Sequence, residues 1–278
     1  DNALSFWDVH YYHSVLTDSY SAADHPFSKT FWPNDFKAIR AANQFMKNAR
    51  QTVVGNAEKE GDDNHLYERY VAEARLLRAI FHFDIACWFG DVPIIGNDEN
   101  GQPIVFDPSD TEGMNMARTN CADALKWIAN ECDSVINKLP FRYSNEDENW
   151  GRVNGATAYA LKARALLYRA SALNNTNNVT YWQEAATAAL AFITKNSSQS
   201  DPYKLYTTSD NNSSKNYYEC FVTTPYYNDE YILTRSVWNT YQIELFLAPC
   251  GFSGTASSTG RTNPTQNLVD SYETINGL

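Results

Sequence analysis

Two short stretches place flat aromatic rings beside hydrogen-bonding side chains, away from any obvious helical core. The first is LSFWDVHYYHSV, residues 4–15, with Trp7, Asp8, Tyr11 and Tyr12. The second is RSVWNTYQ, residues 235–242, with Trp238, Asn239 and Tyr241. An exposed indole or phenol ring can stack on the apolar C–H face of a sugar, while a nearby carboxylate or amide holds its hydroxyls. Trp7, Asp8, Tyr11, Trp238, Asn239 and Tyr241 are therefore the candidate binding residues. The competing assignment packs Phe6, Trp7 and the tyrosines onto a helical stack, and turns Trp238 and its neighbours into packing residues. The following loop, SGTASSTGRTNP, has no aromatic after Phe252, so it offers no further stacking platform.

Catalytic chemistry is poorly represented. His10 and His13 could be joined with Asp8 into a metal site, but no other strong ligand clusters beside them. There is no P-loop, dinucleotide fingerprint, GxSxG elbow or HExxH. Asp98 and Glu99 lie in one loop and Glu146, Asp147 and Glu148 in another. A glycosidase, however, needs two acids at a fixed separation across one cleft, and abundance alone does not supply that. The expectation is a binding protein that performs no catalysis and uses no metal or cofactor.

The 278 residues are 43% hydrophobic and 14% aromatic, enough for a sizeable core. A formal charge of -11 and a pI near 4.9 argue against binding nucleic-acid backbones or an anionic membrane surface. No apolar run reaches the ~18 residues of a spanning helix. The chain starts at Asp1, without Met or a signal-like segment, and reads as a mature or trimmed piece whose targeting information has been removed. The five cysteines, Cys87, Cys121, Cys132, Cys220 and Cys250, show no CxxC spacing and read as small buried hydrophobes. Cys121 and Cys132 share a helix face roughly 16 Å apart, too far to bond.

Helical periodicity positions everything else in the first two thirds. A helix over 33–54 begins at Pro33, with Ile39, Ala42, Met46, Ala49 and Val53 on one face. A second runs from about Leu66 to Phe89, with Tyr70, Ala74, Leu77, Phe81, Ile85 and Trp88 as its stripe. A third carries Cys121, Leu125, Ile128, Cys132, Val135 and Leu139 and stops at Pro140. A fourth carries Ala156, Ala160, Ala163, Leu167 and Ala170, and a fifth, over 181–195, carries Trp182, Ala185, Ala189 and Ile193. The joins EGDDN, NDENG, SNEDEN and NNTNN read as solvated loops, and none has the ligand spacing of an EF-hand. AYALKARALLYRA followed by YWQEAATAALAFI has small residues where two helices approach closely, like one loose tetratricopeptide unit. Beyond residue 200, ECFVTT and EYILTRSVW look strand-like, and NPTQNLVDSYE reads as a helix with Asn263 as cap, Pro264 in the first position and Gln266 completing a capping box.

The fold class is thus mainly α: a tetratricopeptide-like stack of helical hairpins, an α-α superhelix, with a few short strands and long loops. Residues 1–200 form the helical region. Residues 201–278 form a loop- and strand-rich region that starts a ligand-binding half.

AEARLLRAIFHFDIACWFGDVPII, residues 72–95, resembles the hallmark helix and turn of the SusD/RagB family of bacterial outer-membrane nutrient-binding lipoproteins. WPNDFKAIRAANQFMKN is similar to the helix preceding it, GRVNGATAYALKARALLYRAS to the next block, and NPTQNLVDSYETINGL to the segment leading into the family's second half. The resemblance implies a lipid-anchored cell-surface protein of the outer membrane that captures oligosaccharides or polysaccharides. It would close as a lid over its partner, a SusC-like TonB-dependent transporter. It also implies that the lipidated cysteine and much of the C-terminal part lie outside this chain. In the family, aromatics from the regions of Trp7 and Trp238 can help form the binding arc. In the turn itself, Gly90 would close the helix, Pro93 would stop it, Asp91 would hydrogen-bond the turn backbone, and Ile94 and Ile95 would return to the core. Arg75 and Arg78 would pair with acids on neighbouring helices. The alternative function is a tetratricopeptide-type scaffold that binds protein.

Overall fold

The computed structural model describes residues 3–5, 18–21, 27–28, 30–49, 66–107, 109, 111, 115–143, 149–222, 228–234 and 262–274. Their regular elements are β1 (Ala3–Ser5), α1 (Phe31–Asn48), α2 (Leu66–Phe89), α3 (Cys121–Val135), α4 (Gly155–Ala170), α5 (Val179–Ser197), α6 (Ser213–Val222), β2 (Thr262–Pro264) and α7 (Gln266–Asp270). This is a mainly helical fold of packed hairpins. The chain divides into two compact units, Asp1–Pro33 with Val237–Leu278, and Asn34–Ser236.

In the first unit, β1 and β2 pair antiparallel, with Ala3 opposite Pro264, Leu4 opposite Asn263 and Ser5 opposite Thr262. That pairing moves the expected helix start. Asn263 and Pro264 belong to the strand, and Thr265 is the cap of α7, its Oγ1 accepting from the Leu268 N–H at 3.3 Å. An Asn whose backbone is held extended by a partner strand leaves capping to the next hydroxyl residue.

In the second unit, α4 lies against both α3 and α5, and α2 lies against α3. Alanines make the close approaches: Ala156, Ala158 and Ala165 of α4 are fully buried, and Ala129 of α3 meets Ala185 and Ala188 of α5 around Leu166. The larger core collects Leu76, Ala79 and Phe83 of α2 with Leu125, Ile128 and Val135 of α3 and Leu161 of α4. The start of α4 is fixed by a capping box between Asn154 and Thr157. The NNTNN joint supplies Asn178 as the cap of α5, accepting from Thr180 N–H at 3.0 Å.

Three expectations need correction here. Helix α1 starts at Phe31, two residues ahead of Pro33, because Phe31 N–H already bonds Phe27 O at 2.9 Å. A proline is tolerated in that first turn, where N–H groups have no intrahelical acceptor. Of the expected α2 stripe, Ala74 and Ile85 are buried, but Leu77 and Trp88 are exposed, and Ala72, Leu76, Ala79, Phe83 and Ala86 complete the buried side. ECFV, read as strand, ends helix α6. There Tyr217 and Phe221, one turn apart, hold ring centroids at 5.2 Å, and Asn212 Oδ1 accepts from Ser214 N–H at 3.1 Å. Local aromatic spacing and a cap outweigh β-propensity. Residues 228–234, which carry EYILT, are turns and bends, and Val53 lies outside the described residues.

The turn that follows α2 is built by reaching to distant elements. Gly90 has φ +71, and its N–H bonds Ala86 O at 3.0 Å, closing the helix in the left-handed region. Asp91 does not serve its own turn: Oδ1 accepts from the Cys121 N–H at 2.8 Å, joining Asn120 as a cap of α3. Val92, fully buried, exchanges backbone hydrogen bonds with Thr119 at 3.1 and 2.9 Å. It is Val92 that returns to the core, whereas Ile94 and Ile95 stay half-buried. No atom lies within 4 Å of a Cβ placed on Gly90, so only backbone strain opposes a side chain there. Gly90→Ala is expected to lower unfolding free energy by about 1–2 kcal/mol, read as a lower midpoint in urea with an unchanged m-value.

Behind this turn sits a buried polar network. Arg78 donates to Glu131 Oε2 at 2.6 Å, to Asn43 Oδ1 at 2.8 Å and to Asn97 Oδ1 at 2.8 Å. Arg75 closes a fork on the same carboxylate at 2.9 and 2.7 Å. Both arginines therefore pair with a neighbouring helix, as expected. Burial would raise Glu131, but the Arg75 and Arg78 hydrogen bonds and charges overcome it and hold the carboxyl below its usual range. Asn43 also donates to Ile95 O at 3.1 Å and Ile104 O at 2.9 Å. His82, fully buried, bonds Arg78 O through Nδ1 at 2.8 Å and accepts from the Ile95 N–H through Nε2 at 3.1 Å. An acceptor Nε2 fixes the neutral Nδ1–H tautomer. The segment beyond passes over Trp127, where a Cβ on Gly96 would come within 2.9 Å of the indole.

Candidate functional site: two grooves beside an aromatic ridge

Trp7, Asp8, Tyr11, Trp238, Asn239 and Tyr241 all lie outside the described residues, as do His10, His13 and Cys250. Within Asn34–Ser236, the surface places aromatic rings elsewhere. Trp88, at the end of α2, is 43% exposed, and Tyr168, on the last turn of α4, is 38% exposed. Both rings line each of two grooves.

The first groove, about 740 Å³, lies between the ends of α2 and α4 and the starts of α3 and α5. Trp88, Leu167, Tyr168 and Trp182 supply its apolar wall, and Asp91 and Asn174 its polar rim. Trp182 is half exposed, at 50%. The second groove, about 780 Å³, is bounded by α1, α2, α4, α6 and residues 230–233. Phe81, Trp88, Tyr168 and Phe221 line it, together with Asp35, Asp84, Glu230 and Arg164. Both volumes fall in the range of small-molecule sites, about 300–1,000 Å³.

Charge in the second groove is unevenly distributed. The Arg164 guanidinium lies over the rings of Phe83, at 5.3 Å, and Tyr168, at 5.6 Å. Glu230 accepts from the Tyr206 N–H at 3.0 Å. Asp35 is 8% exposed, and its Oδ2 accepts no hydrogen bond among the described residues. Its neighbour is Asp84, another carboxyl. Burial first, then the charge and hydrogen bonding of Asp84, push Asp35 up to about 6.

The cysteines divide more than their composition suggests. Cys132 and Cys220 are buried, Cys121 is half-buried and Cys87 is exposed at the edge of both grooves. All four are free. Burial of its sulfur pushes Cys87 up to about 11, so it stands as a thiol and not as a reactive thiolate. Among the described residues, no three His, Cys, Asp or Glu side chains gather where they could hold a metal ion. No described helix is long and apolar enough to cross a membrane.

Neither a family model nor a curated protein matches the sequence. Solved structures do match. A SusD-like protein from Bacteroides fragilis aligns at TM-score 0.64 and 20% identity, over 98% of this chain and 47% of its own. Surface glycan-binding protein A from Bacteroides uniformis aligns at 0.64 and 16%, over 98% and 52%. A laminarin-binding SusD-like protein aligns at 0.55 and 21%, over 84% and 42%. The fold of this chain is the SusD-like fold, and the chain spans about half the length of the solved structures it matches.

Sequence periodicity puts Trp88 and Trp182 on core stripes, and nothing in the spacing marks Asp35 and Asp84. One signal was available for Trp182. Helix α5 is apolar on two faces, Ala185 and Ala188 inward and Val179, Trp182, Leu190 and Ile193 outward, and a single hairpin partner can cover only one of them.

Proposed function

We propose that this chain is part of a SusD/RagB-type glycan-binding protein of the outer-membrane surface. Held there by a lipid anchor, it captures oligosaccharides and passes them unaltered to a SusC-like TonB-dependent transporter. The observation that carries the reading is the SusD-like fold, shared with a laminarin-binding protein and a surface glycan-binding protein. The Trp88–Tyr168 ridge is in keeping with it, since two ring faces beside polar rims are what sugar stacking needs. Trp7, Asp8, Tyr11, Trp238, Asn239 and Tyr241 remain proposed contacts of the same ligand.

Calorimetric titration of the full-length protein with laminarin and a panel of neutral polysaccharides tests this. At least one glycan should bind, with no reducing ends released. Trp88→Ala should weaken that binding about tenfold, the loss of one stacked ring. No heat with any glycan would refute the reading, and release of reducing sugar would point to an enzyme instead.

The outward apolar stripe of α5 favours a second reading, a tetratricopeptide-type scaffold. A helix face bearing Trp182, Leu190 and Ile193 suits a docked helix better than a sugar. Peptide capture that disappears with Leu190→Asp and leaves glycans unbound would support it.

A further inference from the structure

The two grooves differ in one respect that bears on what each accepts. Among the described residues, and apart from Asp91 at its rim, the first is bordered by apolar and uncharged side chains, whereas the second carries Asp35, Asp84 and Glu230 against the single cation Arg164. Glu230 is already bonded to the Tyr206 N–H, and the Arg164 guanidinium is spread over two rings. Among the described residues, no Lys or Arg comes within ion-pair distance of Asp35 or Asp84.

Such a pair is costly where it stands. Asp35 is more than nine-tenths buried, yet its Oδ2 has no donor and its neighbour is a second acceptor. Buried carboxylates are normally paired or supplied with donors. What the pair lacks is a neutral donor arriving from the groove. A sugar hydroxyl is such a donor, and adjacent hydroxyls match two adjoining carboxyls. The apolar face of the same sugar ring then has Trp88, Tyr168 and Phe221 to lie on.

We propose that the groove between α1, α2, α4 and α6 is a subsite for an uncharged sugar ring, with Asp84 and Asp35 accepting its hydroxyls and the aromatic ridge carrying its C–H face. This rests on the glycan-binding reading and goes beyond it in naming the residues and the ligand's charge. A uronate or a sulfated sugar would bring a third anion to the acid pair, and the local excess of negative charge repels it. A divalent cation is the competing occupant, but two carboxylates are a sparse set for a hard ion that takes 6–8 oxygen ligands.

The test uses the full-length protein with glucohexaoses and mannohexaoses as neutral probes and hexagalacturonate as the acidic one. A neutral hexaose should bind and hexagalacturonate should not. Asp84→Asn should weaken the neutral sugar about tenfold or more, the loss of a charge-assisted hydrogen bond. The double variant Asp35→Asn/Asp84→Asn should weaken it at least as far, and Glu99→Gln, an acid removed from an exposed turn, should leave it within about twofold. Should Asp35→Asn fail to fold, Asp84→Asn and the neutral-against-acidic comparison decide without it. If a neutral hexaose binds and the folded acid variants bind it equally well, the subsite is wrong while glycan capture stands. Equal binding of hexagalacturonate overturns it too. If no hexaose or polysaccharide binds, both readings fall. Calcium that raises the melting temperature of the wild type but not of Asp84→Asn, with sugar binding unaffected by that substitution, would make the pair a cation site instead.

Discussion

Replacing Glu131 with alanine is expected to be the most damaging single change in the chain, lowering stability by about 3–5 kcal/mol. Arg78, with a fully buried side chain, would lose its counter-charge while keeping its own. Its remaining bonds to Asn43 and Asn97 are to neutral amides, which solvate a guanidinium but do not neutralise it. Arg75 sits nearer to solvent and can relax outward, so the cost falls on Arg78. Arg78→Met in the same background removes the stranded charge and fills much the same volume. The double variant Glu131→Ala/Arg78→Met should recover a large part of the loss. Urea unfolding of the single and double variants measures both effects. If Glu131→Ala costs less than ~1 kcal/mol, the network is a surface-like pair and not a buried one.

A second large effect is expected with acid. His82 is neutral in the fold because burial, above all, depresses it from 6.5 to about 4. Between those two values the unfolded chain binds a proton that the folded chain refuses, so stability rises with pH across that window. The contribution is complete above about pH 6.5 and disappears as pH falls toward 4; a depression of that size corresponds to about 3 kcal/mol. Asp35 acts in the opposite sense. Raised from 3.8 to about 6, it favours the fold below its unfolded value, and that stability is lost as pH rises through 6. The two slopes oppose each other between about 4 and 6, so the wild type should respond weakly there. Asp35→Asn should steepen its loss of stability with acid. Melting temperatures at half-unit pH steps, wild type against Asp35→Asn, give the comparison. A flat profile for Asp35→Asn between 4 and 6.5 would rule out a neutral, fold-locked His82.

What the sequence made legible was the set of contacts that repeat. Leu66–Phe89 has the bounds read from periodicity and the Gly90 stop, because a helix end needs only local residues to declare itself. Small residues on α4 and α5 announced their close approach for the same reason. The sequence was less informative where one residue type serves several ends. Trp88 and Trp182 are apolar and in phase with a helix, so periodicity assigned them to the core, although a second apolar face can equally border a groove. Asp91 promised a local turn and instead reaches thirty residues ahead to Cys121. Asp35 is a single acid in the first half of a helix; its meaning depends on Asp84, which the fold and not the spacing puts beside it. The strand read at ECFV failed because aromatics one turn apart support a helix as well as they suit a sheet. Trp7, Asp8, Tyr11, Trp238, Asn239 and Tyr241, the sugar-binding candidates of the sequence, lie outside the described parts of the chain.

The double tie at the end of α2 has a consequence for how such a chain can vary. Asp91 and Val92 clasp Thr119 and Cys121, so the excursion from 93 to 118 leaves and returns through one fixed gate. Within it, Ile95, Asn97 and Ile104 are bonded to His82, Arg78 and Asn43, so inserted residues are tolerated only outside that run, where they would tax closure entropy by about 0.6 kcal/mol for each doubling of the loop. Evolution, or a protein engineer, can therefore lengthen the excursion away from these ties while the flanking rods stay in register.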